Sequence, residues 1–225
     1  MNNNKIKKIS SGCQKIDDIL GGGFERGVVT QIYGEAGTGK TNMCMQLAIE
    51  CIKNGNRVIF IDTEGFSPER FSQIAGSNAK EFAQKIIMYE PMSFEQQYSI
   101  IKELNKIMEE NIGLIIFDSA TLFYRFELDD EKSIALRREL ANQIGHLHLL
   151  ARKYNIAVVI TSQVYTDIDT QEFYAVGGSM IDHLSKVIIQ FEKIGTGKRR
   201  ATIRKHRSRP EGISCEFMIT QQGIR

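Results

Sequence analysis

The chain has 225 residues, 42% of them hydrophobic and 25% charged, with a net charge of +2. This is an ordinary soluble composition, long enough for one domain with a sizeable core or one domain with a small appendage. No run approaches the roughly 18 apolar residues of a membrane span, and Met1-Asn2-Asn3-Asn4-Lys5 has no signal-type apolar stretch behind it, so a cytoplasmic protein with no membrane partner is expected.

Ile16, Ile19 and Leu20 recur at helical spacing and predict a short helix over residues 13–20, stopped by Gly21-Gly22-Gly23. Residues 28–33 read as a strand running straight into Gly34-Glu35-Ala36-Gly37-Thr38-Gly39-Lys40-Thr41. That stretch satisfies G-x-x-x-x-G-K-[ST] at every fixed position. Its glycines allow positive φ and a close approach of backbone to phosphate. Successive amides and the start of the next helix make a concave anion site, Lys40 reaches the β- and γ-phosphates, and the Thr41 hydroxyl ligates Mg²⁺. Residues 41–54 read as that helix, and a strand before with a helix after separates a phosphate loop from a chance glycine turn. The four cysteines, Cys13, Cys44, Cys51 and Cys215, form no C-x-x-C pair. Cys44 and Cys51, among Met43, Met45, Leu47 and Ile49, read as buried apolar residues.

Residues 57–61 are an apolar strand ending in Asp62-Thr63-Glu64-Gly65, which puts acids at a strand's carboxyl end beside the phosphate loop. Glu64 is either the group that orients and activates the attacking water or a plain turn carboxylate. Ser67-Pro68 opens a helix, residues 86–89 form a short strand, and residues 93–111 a long amphipathic helix. Residues 113–119 give four large apolar residues and then Asp118, the second NTPase signature, whose aspartate supports the Mg²⁺ shell. A charged helix is predicted over residues 129–154. Within it His146 and His148, two apart, face different ways and make no metal site. Another buried strand, 156–160, ends in Thr161-Ser162-Gln163, and Gln163 is either a γ-phosphate sensor or a polar strand end. Residues 164–178 read as a polar loop closed by Gly177-Gly178 and long enough to suggest function. Strands at 186–191, 201–204 and 214–219, joined by short connections, are predicted to be antiparallel. Lys193 to Arg209 holds eight Lys and Arg residues and no acid, which reads either as a phosphate or nucleic-acid surface or as a solvated strand pair.

The runs Tyr33 to Thr41, Ile61-Asp62-Thr63-Glu64-Gly65, Asp118-Ser119-Ala120-Thr121 and Ser162-Gln163-Val164 together resemble the RecA/RadA recombinase superfamily, and the match covers nearly the whole chain from Ile9 on. The Thr-Glu-Gly element is characteristic of its archaeal and eukaryotic branch. RadA recombinases carry an N-terminal helix-hairpin-helix domain and a linker polymerisation motif. Here residues 1–23 are only a lead-in, so both are expected to be absent and residues 1–225 to form a single RecA-like ATPase core. The first DNA-binding loop of recombinases is rich in Gly and Arg. Tyr124-Arg125 remain, but Phe126-Glu127-Leu128-Asp129-Asp130-Glu131 is acidic where a basic loop is expected, and the second loop, 164–177, is short. With Lys205-His206-Arg207-Ser208-Arg209-Pro210-Glu211-Gly212, these features resemble the RadB group of short archaeal RadA paralogues.

The resemblance implies an α/β fold, a P-loop ATPase core whose central, mostly parallel sheet is flanked by helices and extended by C-terminal antiparallel strands. It implies ATP and Mg²⁺ as cofactors. Gly34, Glu35, Ala36, Gly37, Thr38, Gly39, Lys40 and Thr41 would bind phosphates, Thr41 and, through water, Asp118 would hold Mg²⁺, Glu64 and Lys40 would act in catalysis, and Gln163 would switch between nucleotide and DNA. The Lys205-His206-Arg207 triplet resembles an element of hexameric ATPases that reaches a neighbour's nucleotide. Arg125, Lys205, His206, Arg207 and Arg209 are therefore expected to meet either DNA or a neighbouring subunit's nucleotide. The function implied is that of an ATP- and DNA-binding accessory protein of homologous recombination and repair. It would have weak DNA-dependent hydrolysis and modulate a RadA-type recombinase on single-stranded DNA, with a homo-oligomer among the states open to it. The competing readings are a non-catalytic ATP-binding adaptor that docks recombination or replication proteins, and a full strand-exchange recombinase.

Overall fold

The computed structural model describes residues 8–128, 133–166 and 173–225. In chain order the elements are β1 (Lys8–Ile9), α1 (Gln14–Leu20), β2 (Phe24–Glu25), β3 (Val29–Tyr33), α2 (Lys40–Lys53), β4 (Arg57–Asp62), α3 (Pro68–Ala75), α4 (Ala79–Ala83), β5 (Ile86–Tyr89), α5 (Phe94–Ile107), β6 (Ile112–Asp118) and α6 (Leu122–Glu127). They continue with α7 (Ser133–Tyr154), β7 (Ala157–Ser162), β8 (Val164–Thr166), β9 (Phe173–Ala175), α8 (Gly178–Leu184), β10 (Val187–Lys193), β11 (Lys198–Lys205), β12 (Ser214–Thr220) and β13 (Gly223–Ile224).

The described residues form a nine-stranded sheet in the order β13-β12-β11-β10-β3-β7-β6-β4-β5. From β10 to β5 every pairing is parallel, and β10 to β13 pair antiparallel. Both faces are covered, which explains the near-continuous apolar runs. Successive residues of one strand go to opposite faces. Val58 and Phe60 pack with Met43, Leu47 and Ala48 of α2, whereas Ile59 and Ile61 pack with Phe94, Ile101, Leu140 and Ile144 of α5 and α7. Cys44 and Cys51 are fully buried, and burial pushes the Cys51 thiol up to about 12. No helix of the described residues is long and apolar enough to cross a membrane.

The mostly parallel sheet with antiparallel C-terminal strands is as the sequence reading expects. Two spans differ from it. The helix expected to reach residue 111 ends at Ile107, because β6 must begin at Ile112 to pair with Arg57. Residues 164–178 are not simply a loop. β8 and β9 form a two-stranded ribbon, and Gly177, at φ 109°, starts α8 and does not close the segment. Over the described part of the helix expected at 129–154, α7 is as expected, and a separate α6 precedes it. Residues 129–132, with most of the acidic run, and 167–172 lie outside the described residues.

Candidate nucleotide site

The parallel register assembles the site. Tyr33 lies opposite Ser162 and Asp62 opposite Asp118, so the carboxyl ends of β3, β7, β6 and β4 stand level. The residues just beyond them are Gly34, Gln163, Ser119 and Thr63, with Glu64 next, the strand-end crevice where ligands of parallel sheets bind. Side chains lace these ends together. The Thr63 hydroxyl donates to the Ser119 carbonyl and accepts from the Ser119 amide, both at 2.9 Å. The Gln163 amide donates to Thr121 Oγ1 at 3.0 Å. Asp62 accepts from the amides of Glu64, Gly65 and Phe66, so it shapes the turn that presents Glu64.

Lys40, the first residue of α2, is buried, and its Nζ donates to the carbonyls of Gly34 at 2.7 Å and Glu35 at 3.0 Å. Burial pulls its pKa down, partly opposed by the charges of Glu64 and Asp118. Asp118 is 1% exposed. Burial raises its carboxyl to about 6, against hydrogen bonds from Thr161 and Thr41. Oδ1 accepts from Thr161 at 2.5 Å, whereas Oδ2 is buried without a hydrogen-bond partner. An orphaned, buried carboxylate oxygen fits a water of a hydrated Mg²⁺. The donor set, one hydroxyl and one carboxylate, suits a cation held mainly by phosphate and water.

Gln163 makes two contacts at once. Its Nε2 donates to Glu64 Oε1 at 3.0 Å, and its Oε1 accepts from Arg125 Nη1 at 2.8 Å. Glu64, Gln163, Arg125, Lys40 and Gly34 to Ala36 line one cavity of about 170 Å³. Beyond Arg125 a cavity of about 560 Å³ is lined by Arg125, Arg137, Tyr165 and Ser179. On the β8–β9 ribbon the rings of Tyr165 and Tyr174 stack with centroids 6.0 Å apart.

The basic segment does not act as one face. Lys193 and Arg199 lie at the phosphate-loop end of β10 and β11, where Arg199 Nε donates to the Gly37 carbonyl at 3.0 Å and the Lys193 side chain lies beside Gly37. The sequence reading did not single out these two, because their closeness to the loop depends on β10 lying next to β3. Arg200 pairs with Glu216, and Lys205 Nζ donates to the Asp182 carbonyl at 2.6 Å. β11 carries the triplet away from the phosphate loop. There Arg207 pairs with buried Glu25 at 2.5 Å, the His206 side chain is fully buried, and Arg209 donates to the Asp18 carbonyl at 3.0 Å. A buried His206 departs from the expectation of an external phosphate contact, since its ring packs beside Glu25.

A family model described as Rad51 matches residues 2–225. The chain is 63% identical over 220 residues to a DNA repair and recombination protein RadB of Methanococcoides burtonii, covering 97% of this chain and 98% of that one. It is 45% identical to RadB of Archaeoglobus fulgidus, covering 96% and 97%. A solved structure described as the RadB recombinase superposes with a TM-score of 0.83 at 35% identity, covering 96% of this chain and 98% of that one.

Proposed function

The chain belongs to the Rad51 family, among the archaeal RadB proteins of DNA repair and recombination, and from that premise we propose that it is an ATP- and DNA-binding accessory factor whose weak hydrolysis is governed by DNA. The observation that carries this reading is the double contact of Gln163, one amide joining the carboxylate over the phosphate loop to the arginine facing the next cavity.

The loop amides and Lys40 would bind the nucleotide's phosphates, Lys40 exchanging its two carbonyl partners for phosphate oxygens. Thr41 and, through water, Asp118 would hold Mg²⁺, which would supply neutralising charge to the nucleotide's phosphates. Glu64 would orient a water and accept its proton. Single-stranded DNA would lie on the Tyr165–Tyr174 stack with its phosphates on Arg125 and Arg137, stacking and charge together serving single strands. Drawing Arg125 toward a phosphate frees the Gln163 amide and so alters the hold on Glu64. Steady-state phosphate release with and without a single-stranded oligonucleotide tests this. DNA should raise turnover several-fold, within the range that a positioned acid–base group commands, and Gln163→Ala should remove the increment. Turnover that stays flat while ATP binds would leave the adaptor reading in its place.

A further inference from the structure

A cavity larger than the one at the phosphate loop lies elsewhere. It is a groove of about 800 Å³ between α7 and α8, away from every strand-end residue of the nucleotide site. Ala141, Gly145 and Leu149 supply one wall, Met180 and Leu184 the other. Leu149 is 63% exposed and Met180 49%, and large apolar side chains left uncovered side by side mark an interaction surface.

Gly145 adds an independent observation. A glycine inside a helix costs about 1 kcal/mol relative to alanine. A Cβ built at Gly145 would meet nothing within 4 Å, so packing inside this chain does not require glycine there. Its missing side chain does keep the floor of the groove open.

Three of the chain's four histidines, His146, His148 and His183, line the groove. Lys186 and Arg152 stand at the edge of the groove, where burial and their charges hold His148 below its ordinary pKa, so the positive charge there belongs to those two side chains and not to His148. Lys186 Nζ donates to the His183 carbonyl at 3.3 Å. Among the described residues no carboxylate lines it, and Asp182, the acid of α8, feels Lys205 of β11. No Phe or Tyr lines it either, so it lacks the stacking platform that single-stranded nucleic acid uses.

We propose that the α7–α8 groove docks an acidic amphipathic segment of another protein. Its apolar side chains would lie over Gly145 between Leu149 and Met180, with its carboxylates against Lys186 and Arg152. Apolar anchors in a groove with a complementary charged rim are the recurring mode of helix-in-groove recognition.

The test uses the full chain and two labelled synthetic peptides of about five helical turns. They share one Leu/Phe face, and the other face carries Glu in one peptide and Lys in its counterpart. Fluorescence anisotropy should give the acidic peptide a Kd of roughly 10–100 µM and the basic one at least about ten-fold weaker binding. Leu149→Glu and Gly145→Gln should each weaken the acidic peptide about five-fold or more. Gly145→Gln should also raise the thermal midpoint, since glutamine is the better helix former, which separates a filled groove from a damaged fold. Equal binding of the two peptides, or wild-type binding by both variants, overturns the proposal. Ser179 and Met180 also line the cavity beside Arg125. Displacement of the peptide by a single-stranded oligonucleotide therefore overturns the proposal when it persists in Arg125→Ala with Arg137→Ala, which would assign the groove to nucleic acid. A fall in light-scattering mass for Leu149→Glu overturns it too, by assigning the groove to a second copy. Lys40→Ala should leave peptide binding unchanged, so the groove and the nucleotide site stand or fall separately.

Discussion

Lys40 meets two opposed demands, since burial disfavours its charge while Glu64 and Asp118 favour it. Lys40→Ala removes that charge and with it the phosphate contact proposed above. It should lower ATP affinity at least 100-fold by calorimetry, about the loss of one charge-assisted contact, with an unchanged circular dichroism spectrum. Glu64→Gln keeps the hydrogen-bonding shape but takes away the proton acceptor. Binding should persist while turnover falls about 100-fold, and unchanged turnover would make Glu64 a turn residue only. Gly34 has a second role that the motif does not reveal. A Cβ there would collide with the Phe191 carbonyl of β10, so Gly34→Ala should lose about 1–3 kcal/mol in urea unfolding even without nucleotide. The motif residues were legible in the sequence because each carries its chemistry in its identity and its place at a strand end. Arg199 was not, because only the sheet order brings it to the Gly37 carbonyl.

The element that departs furthest from its sequence reading is the turn after β11. Arg207 and Lys8 hold Glu25, which is buried against β1. Burial pushes the Glu25 carboxyl up, but the hydrogen bond and charge of Arg207, with Lys8, outweigh it and leave the group below its ordinary value of 4.5. A carboxyl depressed in the folded state contributes stability above its unfolded pKa and loses it as pH falls through the folded value. The chain should therefore weaken as pH drops below about 4.5. Arg207→Ala should cost about 2–3 kcal/mol at pH 7, less than a fully buried pair because Arg207 is half-exposed, and adding Glu25→Gln should recover most of it. A urea midpoint that does not move, together with a lost DNA contact, would return the triplet to an external role. Residues 164–178 were misread for a related reason. Local polarity and Gly177-Gly178 signal a loop, whereas the β8–β9 ribbon forms by pairing across residues that propensity does not connect. The helix end at Ile107 was set by the start of β6, and amphipathic periodicity cannot register that.

At the scale of the whole molecule, the described cations that face the second cavity are few. Fewer phosphates engaged means fewer counterions released, so filter binding to single-stranded DNA should show a shallow salt dependence. At about 0.7 per phosphate, Arg125→Ala with Arg137→Ala should flatten the slope by roughly 1.4. A steep slope, insensitive to both changes, would place the DNA elsewhere. The helix that begins with Lys40 and Thr41 is itself held from far along the chain. Gln46 of α2 accepts from the Ile224 amide at 2.7 Å and donates to the Ile224 carbonyl, contacts that span 178 residues. Contacts of such long separation form late in folding. Nucleotide should therefore find no partner in the early collapsed chain. It should slow unfolding without hastening refolding, so that ATP acts as a latch on a finished molecule and not as a template for its assembly.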